Sequence, residues 1–299
     1  MNNHPEIVKP ISCVVLNYND ASTTKNLVLT IEKYSCFHCI VVVDNMSTDD
    51  SFERLSEIAN ERITVIRSDK NGGYGYGNNV GIRYIKQNFD DDCFVIANPD
   101  VIFSEETVVA LVSFMRNNSD CGIVSAVQNN NPRTSVWRNV GLIKDQIFNS
   151  ILLNSIFKPR YYPADYFKDD VCEVYAVSGC FFLAKMEAFC QIGLYDEDFF
   201  LFEEEKCIAK SLKECGWRSY LLTKYHFTHN HSVSIKKSLR KLGEGKSIVL
   251  KSNRLYLRKY LGVKSGKMAF IYIYHGLCCC EQIVWDFIKP ASKRLFKYR

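Results

Sequence analysis

The feature that most constrains this chain is a repeated pairing of short β-branched runs with amphipathic stretches over its first half. ISCVVLNYN (11–19), CIVVVDN (39–45), ITVIRS (63–68) and CFVIANPD (93–100) are strand-like. The stretches after them have helical spacing: through Tyr34, from about Asp49 to Asn60, from about Asn78 to Asn88 and from about Glu105 to Asn117. Strand runs that stay apolar instead of alternating are buried on both faces, so the pattern predicts parallel strands with helices above and below them. The fold class is α/β, with a nucleotide-binding-type sheet flanked by helices. GIVSAVQN (122–129) adds a strand, and residues 130–170, which lack clear periodicity, read as a long variable loop or lid. A strand entering a helix follows in EVYAVSGCFFLAKMEAF (173–189). A further helix lies within FFLFEEEKCIAKSLKECG (199–216), with Ile208, Leu212 and Cys215 on one face.

Ligands of open parallel sheets sit beyond the carboxyl ends of the strands, and that rule sorts the acids. Asp90, Asp91 and Asp92 precede a strand and read as a solvated turn, whereas Asp100 follows the same strand. Pro99 cannot donate a ladder hydrogen bond and biases Asn98 toward extended backbone, so it ends the strand and presents Asp100 at the crevice. Asn17 and Asp44 close two other strands and converge on the same edge. A carboxylate at such an edge either pairs with a protein cation or helps hold Mg²⁺ or Mn²⁺, which need only one or two carboxylates plus substrate phosphates. In NGGYGYGNN (71–79), glycines including Gly73 let backbone approach a ligand closely ahead of a helix N-terminus that favours anions. The segment is neither a Walker loop nor a Rossmann fingerprint.

Taken in order, VVLNYN, VVVDNMSTD, NGGYGYGNN, NPDV, VSGCFFLAKMEAF and GLYDEDFFLFEEE resemble the motifs of family-two inverting glycosyltransferases of the GT-A fold. The likeness is strongest to the rhamnosyltransferase-like branch that builds bacterial O-antigen and capsule polysaccharides, and it covers roughly residues 11–260. It implies a nucleotide-sugar donor and a glycan or lipid-linked acceptor. It further implies that Asp44 contacts the nucleobase or ribose, with Asn17 and Asn79 shaping that pocket. Asn98-Pro99-Asp100 is similar to the family's Asp-x-Asp element, with Asp100 then holding the divalent metal that bridges the diphosphate. Glu204 and Glu205 fall on the family's acidic pair, Glu205 being the expected general base and Glu204 the second candidate, although Cys207 stands where the family has another acid. Three glutamates stabilised at a helix N-terminus are the plain structural alternative. His229, followed five residues on by Ser234, resembles a late histidine that completes the metal or diphosphate site, with His231 competing for the role.

Residues 236–299 hold sixteen Lys/Arg against Glu244, Glu281 and Asp286, a net +13, while the whole chain carries only +5. The expected division is a catalytic domain over 1–235 and a mainly helical basic extension over 236–299, with donor binding belonging to the first sheet. KMAFIYIYHGLCCC (267–280) is too short an apolar run to span a bilayer and reads as an interfacial helix suited to an anionic membrane surface; a helix packed on the catalytic domain is the alternative. Thirteen cysteines and a start, MNNHPEIVKP, without an apolar run point to a reducing, cytoplasmic setting, with the protein peripheral on the inner face of the membrane. Cys36 and Cys39 lead into a strand, not out of one into a helix, so they read as small buried thiols. A sugar nucleotidyltransferase should carry a basic Gly-rich loop after its first strand, where NYNDASTTK stands instead. Nucleic acid would suit the tail but not the acidic crevice, and no zinc-finger or RNA-binding signature is present. A catalytically dead nucleotide-sugar-binding scaffold stays open at this level.

Overall fold

The computed structural model describes residues 9–157, 161–230 and 244–288. Its strands are β1 (Ile11–Asn17), β2 (Phe37–Asp44), β3 (Ile63–Arg67), β4 (Cys93–Ala97), β5 (Val101–Phe103), β6 (Cys121–Gln128), β7 (Val136–Trp137), β8 (Val171–Val174), β9 (Ala176–Val177), β10 (Phe181–Lys185) and β11 (Arg218–His229). The helices of the first half are α1 (Ala21–Ile31), α2 (Ser51–Ser56), α3 (Tyr74–Asn88) and α4 (Glu105–Asn117). Short helices α5 (Pro132–Ser135), α6 (Gly141–Ile147) and α7 (Ile151–Phe157) occupy the segment expected to be a loop. The remaining helices are α8 (Met186–Gln191), α9 (Glu204–Glu214), α10 (Glu244–Lys259) and α11 (Ser265–Ile288).

The expected α/β architecture is present as one mixed sheet in the order β3-β2-β1-β4-β10-β6-β11-β5, with β8 also paired to β11. β3, β2, β1 and β4 run parallel, and β10 is inserted antiparallel between β4 and β6. Successive residues of the apolar runs serve opposite faces. Cys13 and Val15 of β1 join Leu27, Val28, Leu111 and Met115 on one side, while Val14 joins Ile82, Ile85, Phe189 and Leu212 on the other. Both faces are therefore covered, which is what continuous β-branched runs require.

Helix α3 begins at Tyr74, not near Asn78, so most of the glycine-rich stretch is helix. The reason is close packing. A Cβ on Gly77 would stand 2.4 Å from Leu16 Cδ1, and one on Gly81 would stand 2.6 Å from Val14 Cγ1. Helix α9 ends at Glu214, and Cys215 lies past its end and exposed, apart from the buried Ile208 and Leu212. The acidic turn before β4 is also not simply solvated. Asp91 is 8% exposed, accepts from the Ser12 amide at 2.9 Å and bonds His38 Nε2 at 2.8 Å, while Asp92 pairs with Arg116 at 2.7 Å. These carboxylates bind the start of β4 to β1, β2 and α4.

Helices α10 and α11 rest on the segment leading into α9, where Phe199 and Cys207 share an apolar cluster with Tyr256, Leu257, Met268 and Ile271. Among the described residues, no helix is long and apolar enough to cross a membrane. The 235/236 boundary falls outside the described residues, as do His231, Ser234 and the last eleven residues of the basic tail.

Candidate active site

Asn17 and Asp44 are paired across the parallel β1–β2 register. Asn17 Nδ2 donates to Asp44 Oδ1 at 2.9 Å, the Ser47 amide donates to Asp44 Oδ2 at 3.0 Å, and Arg67 Nε approaches Asp44 Oδ2 at 3.8 Å. Thr24 Oγ1 in turn donates to Asn17 Oδ1 at 2.8 Å. Both side chains are fully buried. Asp44 keeps acceptor capacity beyond these bonds but exposes no surface, so in this structure the pair acts first as a clamp on two strand ends and on the turn that carries Met46 and Ser47. Arg67, at the end of β3, is a member of this group that the sequence pattern did not single out.

Gly73 has φ of +94°, and a Cβ there would stand 2.1 Å from the Phe200 carbonyl oxygen. Glycine is required because the loop presses on backbone, and the Tyr74 amide completes the contact by donating to that carbonyl at 2.8 Å. Asn79 lies one turn further along α3 and is fully buried. It accepts from the Tyr195 amide at 3.0 Å, and its Nδ2 donates to the Tyr195 carbonyl and to Glu197 at 2.9 and 2.8 Å. The structure thus places Gly73 and Asn79 against the 195–200 segment, and the Gly73 carbonyl also accepts from Asn45 Nδ2, next to Asp44, at 3.1 Å.

The other predicted residues converge. β4 stops at Ala97, the Asn98 amide donates to the Cys180 carbonyl at 2.8 Å, and the Tyr74 hydroxyl lies between Asn98 Oδ1 at 3.0 Å and the Gly179 carbonyl at 2.7 Å. Asp100 Oδ1 is 3.0 Å from His229 Nε2, because β11 pairs with β5 and sets His229 opposite Val101. Gln128 Nε2 lies 3.4 Å from the other ring nitrogen. Burial alone would lower the His229 pKa, but its hydrogen bonds to Asp100 and to the Cys180 thiol outweigh that and hold it at about 9. On the far side of Gly179, the Gly179 amide donates to Glu205 Oε1 at 3.3 Å.

Glu204 and Glu205, successive residues at the start of α9, occupy different environments. Glu205 is partly exposed, whereas Glu204 is 6% exposed. Burial, and then the charge of Glu205, raise the Glu204 carboxyl from its ordinary 4.5 to about 8. Together with Tyr74 and Tyr195 the two glutamates line a cavity that offers the centre of a water molecule about 20 Å³, and neither Glu204 Oε1 nor the Tyr195 hydroxyl meets a protein partner in it. Just before this pair, Phe202 and Glu203 have φ of +71° and +75°, a strained conformation for side-chain-bearing residues that persists only when neighbours enforce it. Asn253 Nδ2 of α10 donates to Glu203 Oε1 at 3.2 Å, Lys206 pairs with Glu203, and Ser252 Oγ donates to the Leu201 carbonyl at 2.7 Å.

A divalent cation would fit the Asp100–His229 pair only by displacing the proton that His229 shares with Asp100, since a metal-ligating imidazole is neutral. One carboxylate and one imidazole stand at the crevice, and among the described residues no group of three or more His, Cys, Asp or Glu could hold a metal alone. The rest of the coordination would fall to substrate phosphates and water, as is usual for Mg²⁺. The Cys36–Cys39 pair takes no part. Both thiols are buried, and burial, helped by Glu105, pushes the Cys36 thiol up to about 12.

The family model described as "Glycosyl transferase family 2" matches residues 12–193. The low-salt glycan biosynthesis hexosyltransferase Agl10 of Haloferax volcanii is 26% identical over 204 residues, 65% of this chain and 59% of that protein. Rhamnosyltransferase WbbL of Escherichia coli K12 is 22% identical over 164 residues, 52% of this chain and 60% of that protein. The chain thus spans about 60% of the length of the curated relatives it matches. Among solved structures, the Pyrobaculum calidifontis mannosyltransferase PcManGT in complex with GDP-Man and Mn²⁺ is similar with a TM-score of 0.57 and 13% identity, over 94% of this chain and 77% of that one. The S. aureus TarS 1–349 complex with UDP-GlcNAc gives 0.53 and 15%, over 95% and 74%. At such identities the likeness concerns the fold. Glu204, Glu205 and His229 lie beyond the matched family segment, and their case rests on geometry.

Proposed function

The chain belongs to glycosyl transferase family 2, and from that membership we propose that it moves a hexose-type sugar from a nucleotide-sugar donor to a glycan or lipid-linked acceptor, with inversion, in cell-surface polysaccharide synthesis. The observation that carries this reading is that Asp100–His229 and Glu205 are both tied to the Gly179–Cys180 segment, His229 through the Cys180 thiol and Glu205 through the Gly179 amide. It provides an electrophilic side and a basic side on one sheet edge. Asn17, Asp44 and the Gly73–Asn79 region frame the nucleotide end. Asp100 would hold Mg²⁺ or Mn²⁺, joined by His229 once the ion has displaced its proton, and the ion would supply stabilisation of charge on the departing nucleoside diphosphate.

Inverting transfer is a single displacement: a bond forms from the acceptor oxygen to the anomeric carbon as the bond to the diphosphate breaks. Glu205 takes the acceptor hydroxyl proton, and its bond from the Gly179 amide fixes the carboxylate's direction. Glu204 lies behind it, protonated near neutral pH, so the pair carries one negative charge and not two. The Tyr74 hydroxyl ties Asn98 to the Gly179 backbone and so links the metal side to the base side.

We extend the reading to a peripheral protein on the cytoplasmic face of a membrane, supported by thirteen free cysteines and the basic C-terminal segment. The deciding experiment is a panel of nucleotide sugars screened for binding and then for transfer to glycan acceptors with Mg²⁺ or Mn²⁺. Asp100→Ala should abolish transfer and metal-dependent diphosphate binding with the melting curve preserved. Wild-type binding without transfer to any acceptor would instead indicate a nucleotide-sugar-binding scaffold.

A further inference from the structure

Helix α11 buries polar residues beside Met268, Ile271 and Cys278 while turning large apolar ones outward. Its buried side carries His275, Gln282 and Asp286 at 1, 1 and 3% exposure. Its outward side shows Phe270, Ile273, Leu277, Val284, Phe287 and Ile288 at 56–76%. Most of these apolar positions recur three or four apart with the exposed Cys280 among them, so one stripe runs along the helix for about 28 Å. The carboxylates of this helix do not interrupt it. Glu281 turns back to accept from the Ile151 and Leu152 amides at 2.9 and 2.7 Å, and Asp286 accepts from Gln282 inside. Leu152, Ile156 and Phe157 of α7 and Ile143 of α6 continue the surface at 61–79% exposure. Of the nineteen large apolar side chains exposed among the described residues, twelve lie on α6, α7 and α11, so the exposure is concentrated and not scattered.

Charge selects what covers this face. The Arg254 and Arg258 guanidinium groups lie 4.9 and 5.6 Å from the ring centroid of the half-exposed Tyr272 at its edge. Lys144 is exposed beside Ile143, and Lys264 and Lys267 are exposed at the start of α11. The sequence continues with Lys158 and Arg160 after α7, and with Lys289, Lys293 and Arg294 after α11. Two copies pressed together here would set a basic rim against itself. An anionic bilayer satisfies the apolar centre and the basic rim together.

We propose that the α6–α7–α11 face is the docking surface for an anionic phospholipid bilayer, with α11 lying along the surface and its outward stripe immersed. This rests on the glycosyltransferase reading for its purpose, delivery of the site to a membrane-borne acceptor, and it names the surface that the basic tail alone could not.

The test is flotation of the full-length chain with vesicles of phosphatidylglycerol and phosphatidylcholine, against vesicles of phosphatidylcholine alone. The chain should float with the former, with partial release at high salt. Leu277→Asp combined with Phe287→Asp should weaken binding at least about tenfold, and Lys264→Glu with Lys267→Glu should weaken it on the anionic vesicles only. Nucleotide-sugar binding in solution checks that each variant is folded, and Leu277→Ser with Phe287→Ser replaces the harsher pair if that check fails. A wild-type chain left behind by both vesicle types overturns the proposal, as does flotation indifferent to the apolar substitutions. So does a soluble dimer that Leu277→Asp splits. Flotation without any transfer activity sinks the enzymatic reading and upholds the surface.

Discussion

Two neighbouring glutamates show how far position along a helix can separate chemical roles. Glu205 is partly exposed and accepts from the Gly179 amide, whereas Glu204 is buried in the wall of the cavity they share, so Glu205→Gln should lower turnover by roughly 10²–10⁴ with donor affinity nearly unchanged. Glu204→Gln, which mimics the protonated acid, should cost far less. Kinetics that reverse the two would exchange their roles. Glu204 also gives stability a pH dependence of known sign. Its folded pKa of about 8 exceeds the ordinary 4.5, so between those values the folded state binds more proton than the unfolded state and stability falls as pH rises. Melting temperatures should therefore drop from pH 5 to pH 8, and Glu204→Gln should flatten that slope and melt higher than wild type at pH 8. An unchanged slope would remove the buried acid from the argument. Asp91 makes the opposite case. From sequence it belongs to a solvated turn, but it satisfies the buried Ser12 amide, so Asp91→Ala should cost about 1–3 kcal/mol in a denaturant melt while sparing the chemistry.

At the level of elements, the parallel strands were legible because continuous Val and Ile runs have few other uses, and the place of Asp100 just past the end of β4 was legible because Pro99 cannot continue a strand. The glycine-rich segment was not, because glycine in a helix is locally unfavourable and only the distance to Leu16 and Val14 shows why it is needed there. Tyr74 was missed for a related reason: its partner, the Gly179 carbonyl, lies 105 positions away, and no local spacing signals such a bond. The strained Phe202–Glu203 turn was equally silent, since Ser252 and Asn253, which hold it together with Lys206, come from α10. That dependence is testable. Asn253→Ala removes the bond to Glu203 without touching the crevice, so kcat should fall about tenfold while the KM for donor changes little. A matching rise in donor KM would mean that α10 supports the nucleotide end instead.

Across the whole molecule, the basic C-terminal segment and the catalytic sheet are mechanically joined, although the charge asymmetry made the tail look like an appendage. Lys259 pairs with Asp196 and Asp198 at 2.8 and 2.6 Å, Tyr260 donates to Asp196 at 2.9 Å, and Met268 and Ile271 of α11 complete the apolar cluster that includes Phe199 and Cys207. Phe199 precedes the strained turn and Cys207 follows the acidic pair, so the C-terminal helices brace both approaches to Glu204–Glu205. A chain ending at residue 264 would uncover that cluster and strip the buried Asn149 and the half-buried Gln146 of their His275 partner. It should therefore melt at a lower temperature and lose turnover even in detergent-free solution with a soluble acceptor, where membrane docking has no part. The Asn17–Asp44 clamp, which lies on the first strands, should still bind nucleotide below the new melting point. Full turnover by the truncated chain on a soluble acceptor would show that α11 serves the membrane alone and that the bracing is incidental.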